Sequence, residues 1–326
     1  MIRFFFVFAV FIFTGAVFTQ ENKWDIPERY LQGYIKSLKG QVMSYHSPEP
    51  GVTSALLVRS IDSNMYIEWE TEAVPQDYKS EFVTFLWMFG IDVNSDSHKF
   101  DLFVNGKKRF TFSNPKTTDK KIWSVDGDKG AELKFRAVMV DRYEDMMGYA
   151  TMRLPVSDMK RGEPLIIKVA GETSKSRSWY MTFESKVEQK FSIETEDVMF
   201  REGNKLLQSL RFDFVHLGER INGSLSIGKE INRKFDLQPG YNSIQVKIPE
   251  VKNPQKYSAE IKIGKRPAVK REFTVHPVKK WKIYFVQHTH TDIGYTRPQS
   301  SILPEHLRFI DYALDFCDQT DDFPDD

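Results

Sequence analysis

Over most of this chain, apolar and polar residues alternate in short runs with the two-residue period of half-buried strands. Ser54 to Val58, Met65 to Glu70 and Glu81 to Phe89 are predicted strands. Lys99 to Val104 runs into Asn105-Gly106 and then Arg109 to Phe112. Two β-rich runs around Asn-Gly predict a hairpin. Glu132 to Val140, Leu165 to Val169 and Trp179 to Phe183 continue the series. Strands at this spacing, without long helical patterns, predict a jelly-roll-like antiparallel β-sandwich over residues 24–187. The segment Glu28 to Lys39 is predicted as a short N-terminal helix.

A second β unit is expected over residues 188–276. Leu210 to Val215, Gly223 to Ile227, Ser243 to Ile248, Tyr257 to Ile263 and Glu272 to Val275 alternate, and Gln238-Pro239-Gly240 reads as a turn. About six short strands suit an immunoglobulin-like sandwich.

The pattern changes at Lys280. Trp281 to Val286 is a near-continuous apolar run, as in a strand buried on both faces of a parallel sheet. A polar loop follows. Leu303, Leu307, Ile310, Leu314 and Cys317 then recur at helical steps, with Ser300 or Ser301 as cap, Pro304 in the first turn and Asp321 to Asp326 as the end. The expected fold is therefore mainly β: two β-sandwich modules followed by the first βα unit of an α/β catalytic domain over residues 281–326. So few residues cannot close a parallel sheet, so the chain is expected to be part of a longer one.

The N-terminus alters this picture. Arg3 supplies a positive charge, Phe4 to Phe13 is almost wholly apolar, and Thr14-Gly15-Ala16 offers small residues. This is the order of a secretory signal peptide, placed at residues 1–20 with cleavage near Ala16. The apolar run is about 15 residues, short of the ~20 that span a bilayer. No membrane span is expected after cleavage, and the product is expected to be secreted or periplasmic. Cys317 is the single cysteine, so no intramolecular disulfide forms, and its helical spacing predicts a buried small hydrophobe. With 46 basic against 45 acidic residues the net charge is +1, which gives no electrostatic case for a nucleic-acid partner.

The chemistry concentrates in Gln287-His288-Thr289-His290-Thr291-Asp292-Ile293-Gly294-Tyr295-Thr296. It follows the carboxyl end of the apolar run, where α/β folds place ligands. Alternation along an extended chain puts His288, His290 and Asp292 on one side. Two imidazoles and a carboxylate suit Zn²⁺. Gly294 lets the backbone turn, and the ring of Tyr295 suits the apolar face of a pyranose.

This segment resembles the signature of glycoside hydrolase family 38, the α-mannosidases, which reads His-x-His-x-Asp-x-Gly-Trp/Tyr after the first strand of the catalytic domain. The match covers about ten residues, and the strand, loop and helix around it about 40. Ile293 and Tyr295 depart from the commoner proline and tryptophan. The resemblance implies that His290 and Asp292 are zinc ligands, that Tyr295 lines the subsite of the scissile sugar, and that His288 is supporting. It also implies a retaining mechanism on α-mannosides of glycans, using two carboxylates that the family carries well downstream of this motif. On that reading no catalytic carboxylate lies within these 326 residues, and they are expected to be inactive alone.

Two other readings compete. Amidohydrolase-type metal hydrolases also open with His-x-His, both histidines then being ligands. A carbohydrate-binding β-sandwich protein without catalysis would use Trp69, Trp87, Phe89 and Trp179 as a platform, although aromatics at strand spacing are more often core. Glu68 and Glu70 flank Trp69 as a paired carboxylate or as the solvated face of a half-buried strand, and the second fits better. Asn222-Gly223-Ser224 matches a glycosylation sequon, with Asn-Gly read as a turn.

Overall fold

The computed structural model describes residues 29–45, 51–279, 282, 295 and 297–321. The expected signal peptide lies outside them. The described residues form two compact units, one up to Val278 and one from Lys279 onward.

The first unit is mainly β and holds two pairs of facing sheets. In the first pair, an eight-stranded sheet runs in the order Val42–Ser44, Ser54–Arg59, Trp179–Phe183, Phe82–Ile91, Met146–Pro155, Glu132–Val140 and Ile122–Asp126. Leu31–Gln32 adds to it in parallel beside Phe82–Ile91. The facing sheet is Lys36–Lys39, Tyr66–Glu70, Ile166–Gly171, Lys99–Val104 and Lys107–Ser113. Trp87, Phe89 and Phe135 from the first sheet meet Trp69, Phe100 and Leu102 from the second in one apolar core.

The second pair joins Lys190–Glu202, Lys205–His216 and Gly240–Pro249 to a four-stranded sheet of Ile231–Leu237, Ile221–Ile227, Gln255–Ile263 and Val269–Val275. Leu210, Phe212 and Ile248 pack against Leu225, Ile261 and Val275 between them. The seven strands number one more than the sequence pattern predicted. Asn222 and Gly223 lie within the strand Ile221–Ile227, not in a turn: they pair with Asp236 and Phe235 of one neighbouring strand, and Gly223 also pairs with Ile263 of the other.

The hairpin at Asn105-Gly106 forms as predicted. Val104 pairs with Lys107, and both turn residues have positive φ, 49° and 79°. That is the type I′ geometry whose twist matches the flanking strands. The predicted helix over Glu28 to Lys39 is not found. The strands Leu31–Gln32 and Lys36–Lys39 occupy that segment instead. Tertiary pairing overrides its weak helical spacing: Gly33 N donates to Leu86 O at 2.7 Å and Ile35 N to Glu70 O at 2.8 Å.

The strand Phe82–Ile91 explains its own unbroken apolar sequence. Phe85, Trp87 and Phe89 face the core between the sheets, while Leu86 and Met88 face outward. The outward residues join Met147, Tyr149 and Phe183 against Val215 and Leu217 of the second sandwich. A sheet covered on both faces has no polar side to display, so the period of two disappears from the sequence.

Candidate functional site

The described part of the second unit is built around the helix Gln299–Thr320. Tyr295 lies on the approach to it and is 89% exposed. The Arg297 guanidinium donates from Nη1 to both carboxylate oxygens of Glu305, at 2.8 and 2.9 Å, tying the approach to the helix.

The helix starts differently from the sequence expectation. Its N-cap is Pro298, and no side chain caps it. The predicted caps, Ser300 and Ser301, lie inside the helix, and Ser301 Oγ donates back to Pro298 O at 2.8 Å. Pro304 consequently sits in the second turn, where it lacks the N–H that an α-helix returns to the fourth residue before it. The helix ends at Asp321, where the acidic run begins.

Cys317 is exposed, contrary to its expected burial. Leu303, Leu307, Ile310 and Leu314, which share its stripe, are 63%, 55%, 52% and 59% exposed. An amphipathic stripe is buried only where another element covers it, and the described residues of this unit contain no second element. Ile302 is the buried residue of the helix.

His288, His290 and Asp292 lie outside the described residues; of the predicted site, Tyr295 is the member the structure describes. Two imidazoles and a carboxylate remain an appropriate donor set for zinc. Among the described residues, no three His, Cys, Asp or Glu side chains converge on a metal-sized site.

The aromatic residues considered as a sugar platform belong largely to the core. Trp69, Trp87 and Phe89 are buried. The indole N–H of Trp69 donates to Gly33 O at 2.7 Å, and that of Trp87 to the Tyr180 hydroxyl at 3.3 Å. Phe89 stacks on Phe135 with ring centroids 4.3 Å apart. Trp179 is partly buried and packs in the junction with the second sandwich. Glu68 and Glu70 are half-buried and alternate with buried Ile67 and Trp69, so their side of the strand is the solvated one.

Two charged groups escaped the sequence reading. Asp92, Asp141 and Asp145 gather at one end of the first sandwich. Burial, the Asp92 carboxyl and the Asp141 charge push Asp145 up to about 6, against the opposing hydrogen bond from Val93 N. Tyr45, beside them, is pushed up to about 12, mainly by burial and then by the Asp141 and Asp145 charges. The second group is Asp158, which accepts from Arg109 Nη2 at 2.5 Å and Lys129 Nζ at 2.8 Å. Those two cations hold its carboxyl down at about 2. Neither group was singled out, because Asp92 reaches Asp141 and Asp145, and Arg109 and Lys129 reach Asp158, from distant parts of the sequence.

No family model matches this chain, and no curated protein matches it. Among solved structures it is similar to a GH2 beta-galacturonidase from Eisenbergiella tayi bound to galacturonate, at 10% identity and a TM-score of 0.20, covering 74% of this chain and 44% of that one. A GH2 beta-galacturonidase from Eisenbergiella tayi bound to glycerol gives 12% identity and a TM-score of 0.20, covering 75% and 44%. An exo-chitosanase from Amycolatopsis orientalis gives 11% identity and a TM-score of 0.19, covering 65% and 25%. The chain thus spans less than half the length of each of these glycoside hydrolases.

Proposed function

We propose that this chain is the N-terminal part of an exported, zinc-dependent, retaining glycoside hydrolase of the α-mannosidase type, acting on α-mannosides of glycans. The observation that carries the reading is the segment His288-Thr289-His290-Thr291-Asp292-Ile293-Gly294-Tyr295, placed between an apolar run and an amphipathic helix. In this reading His290 and Asp292 hold zinc, His288 supports them, and Tyr295 lies beside the sugar. The bound ion would supply positive charge to the sugar hydroxyls. One carboxylate attacks the anomeric carbon, and a second protonates the leaving oxygen and then activates water. Neither carboxylate is assigned to a residue of this chain.

Metal analysis and aryl α-mannoside turnover of the enzyme carrying this chain test the reading. Asp292→Ala and His290→Ala are expected to strip zinc and activity, while His288→Ala retains most of the metal. Equal zinc loss from His288→Ala would instead favour an amidohydrolase-type site. Full zinc and activity in Asp292→Ala would refute metal binding by this motif. The non-catalytic alternative loses its main sequence support, because Trp69, Trp87 and Phe89 are buried.

A further inference from the structure

Residues 217–220 join the strand Lys205–His216 to Ile221–Ile227 and meet the first sandwich. Leu217 belongs to the apolar cluster between the sandwiches. The Arg136 guanidinium, from the strand Glu132–Val140, donates to both carboxylate oxygens of Glu219, at 2.6 and 3.0 Å. The Arg136 side chain is 11% exposed. A two-pronged contact of this kind fixes geometry as well as charge.

His216 holds the same residue by its backbone. Its Nε2 lies 2.7 Å from the carbonyl oxygen of Glu219. A carbonyl only accepts, so Nε2 carries the hydrogen. Gly218 lies against the ring, where an added Cβ would be 3.2 Å from Cε1 and 3.3 Å from Nε2. His216 is 3% exposed, and its Nδ1 is buried without a hydrogen-bond partner. In the neutral ring that Nδ1 carries no hydrogen. Protonation would place a second N–H there, enclosed and without an acceptor, which is a costly arrangement. The surrounding charges do not help. Arg136 faces the ring from the first sandwich, and Arg266 and Lys190 line the same cleft as the ring. Burial is the main force against the charged imidazole, and Arg266 and Arg136 add to it. The bond to Glu219 and the Glu219 charge oppose them, but the pKa still lies below the ordinary 6.5.

We propose that His216 is a pH-sensitive latch on the junction of the two sandwiches. When it takes up a proton, residues 217–220 lift from the ring, Glu219 releases Arg136, and the junction loosens. Water then supplies the acceptor that the closed loop denies to Nδ1. A group buried in its neutral form contributes fully above about pH 6.5, and that contribution is lost as pH falls through the lower folded value. The proposal stands independently of the mannosidase reading, since it uses no residue beyond Arg266.

Two measurements on the full chain between pH 7.5 and 5 test it. Ring ¹⁵N NMR should show the hydrogen on Nε2 at pH 7.5 and a His216 titration below 6.5. Hydrogen exchange over residues 217–220, corrected for the intrinsic pH dependence, should show protection falling by up to roughly tenfold per pH unit, the slope of one proton taken up per opening. Asp145 titrates in the same range, but its protonation strengthens the fold and so does not mimic this loss. His216→Gln keeps an N–H for Glu219 O and does not titrate, so its protection should stay level across the range. Should that variant fail to fold, the ring titration and the exchange slope of the unaltered chain still decide. A hydrogen on Nδ1 at pH 7.5, a titration at or above 6.5, or loop protection independent of pH overturns the proposal. So does a pH-dependent loss that persists in His216→Gln.

Discussion

Gln32 and Val187 close the first sandwich with a reciprocal pair of hydrogen bonds. Gln32 Nε2 donates to Val187 O at 2.9 Å, and Val187 N donates to Gln32 Oε1 at 2.9 Å. The side-chain amide thus copies what a neighbouring strand would offer a backbone. Both residues are buried, at 7% and 4% exposure, so water cannot substitute for either bond.

Replacement of Gln32 by alanine should therefore cost roughly 2–4 kcal/mol, since it orphans one buried donor and one buried acceptor. Gln32→Glu should be nearly as damaging at neutral pH: a carboxylate accepts from Val187 N but gives nothing to Val187 O. Denaturant unfolding of the three proteins checks this. A loss under about 0.5 kcal/mol for Gln32→Ala, the size typical of neutral surface changes, would show that the pair is incidental.

Asp145 makes a prediction of opposite sign. Its folded-state pKa, about 6, lies above its ordinary value of 3.8. The folded state therefore binds the proton more tightly than the unfolded chain does. The resulting stabilisation is complete below about pH 4 and is lost as pH rises through about 6. Asn resembles the protonated form and keeps an oxygen to accept from Val93 N. Asp145→Asn should raise stability at pH 7 by on the order of 1 kcal/mol, allowing for solvent screening of a half-buried group, and change little at pH 4. Thermal melts at the two pH values decide the matter; a stabilisation independent of pH would mean that ionisation of Asp145 is not its source.

Asp158 titrates the other way. Its pKa is held at about 2, below the ordinary 3.8, so its contribution is present above about pH 4 and fades as pH falls towards 2. The Arg109 side chain beside it is 6% exposed, and its Nε and Nη1 have no partner among the described residues. Removing Asp158 would leave that guanidinium buried without a counter-charge. Asp158→Asn should cost roughly 3 kcal/mol at pH 7 and much less at pH 2. Lys129→Ala should cost far less, because its ammonium is largely exposed. Comparable losses from the two variants would contradict this division.

These relationships mark what the sequence could convey. Strands with one wet face were legible from their alternation, as at Tyr66–Glu70, and so was the Asn105-Gly106 turn, whose backbone demands are local. The strand Met146–Pro155 was missed, although it is central in its sheet. Tyr149 and Met147 face the second sandwich while Met152 and Leu154 face the core, so no polar face marks it as a strand. Lys190–Glu202 was missed for the opposite reason: none of its residues is buried, and the alternation is too shallow to register. The exposure of Cys317 was illegible in principle, since helical spacing states which face is apolar and not whether anything covers it. The histidine motif stands out in the sequence because its donors lie at alternate positions in one short segment, whereas Asp145 meets Asp92, and Asp158 meets Arg109 and Lys129, across distant ones.

The junction between the sandwiches supplies the last prediction. The pairing of Glu132–Val140 with Met146–Pro155 shifts register between Ala137 and Met139, leaving Val138 as the extra residue of a bulge. A bulge re-aims its side chain, and Val138 packs among the apolar residues between the two sandwiches. It meets Gly240, which has φ +97°, a conformation that disfavours a side chain. A Cβ added at Gly240 would also lie 3.0 Å from Val138 Cβ. Gly240→Ala therefore carries a backbone penalty and a steric one, together about 1–3 kcal/mol. The two parts separate in a double-mutant cycle. Val138→Ala leaves the Cβ in place but removes the branching methyls behind it, so it should relieve only part of the Gly240→Ala loss, and the backbone part should persist. Val138→Gly removes the opposing Cβ itself and should relieve the steric part fully. Additive losses throughout the cycle would mean that Val138 and Gly240 are not coupled and that the bulge does not set the fit of the two sandwiches.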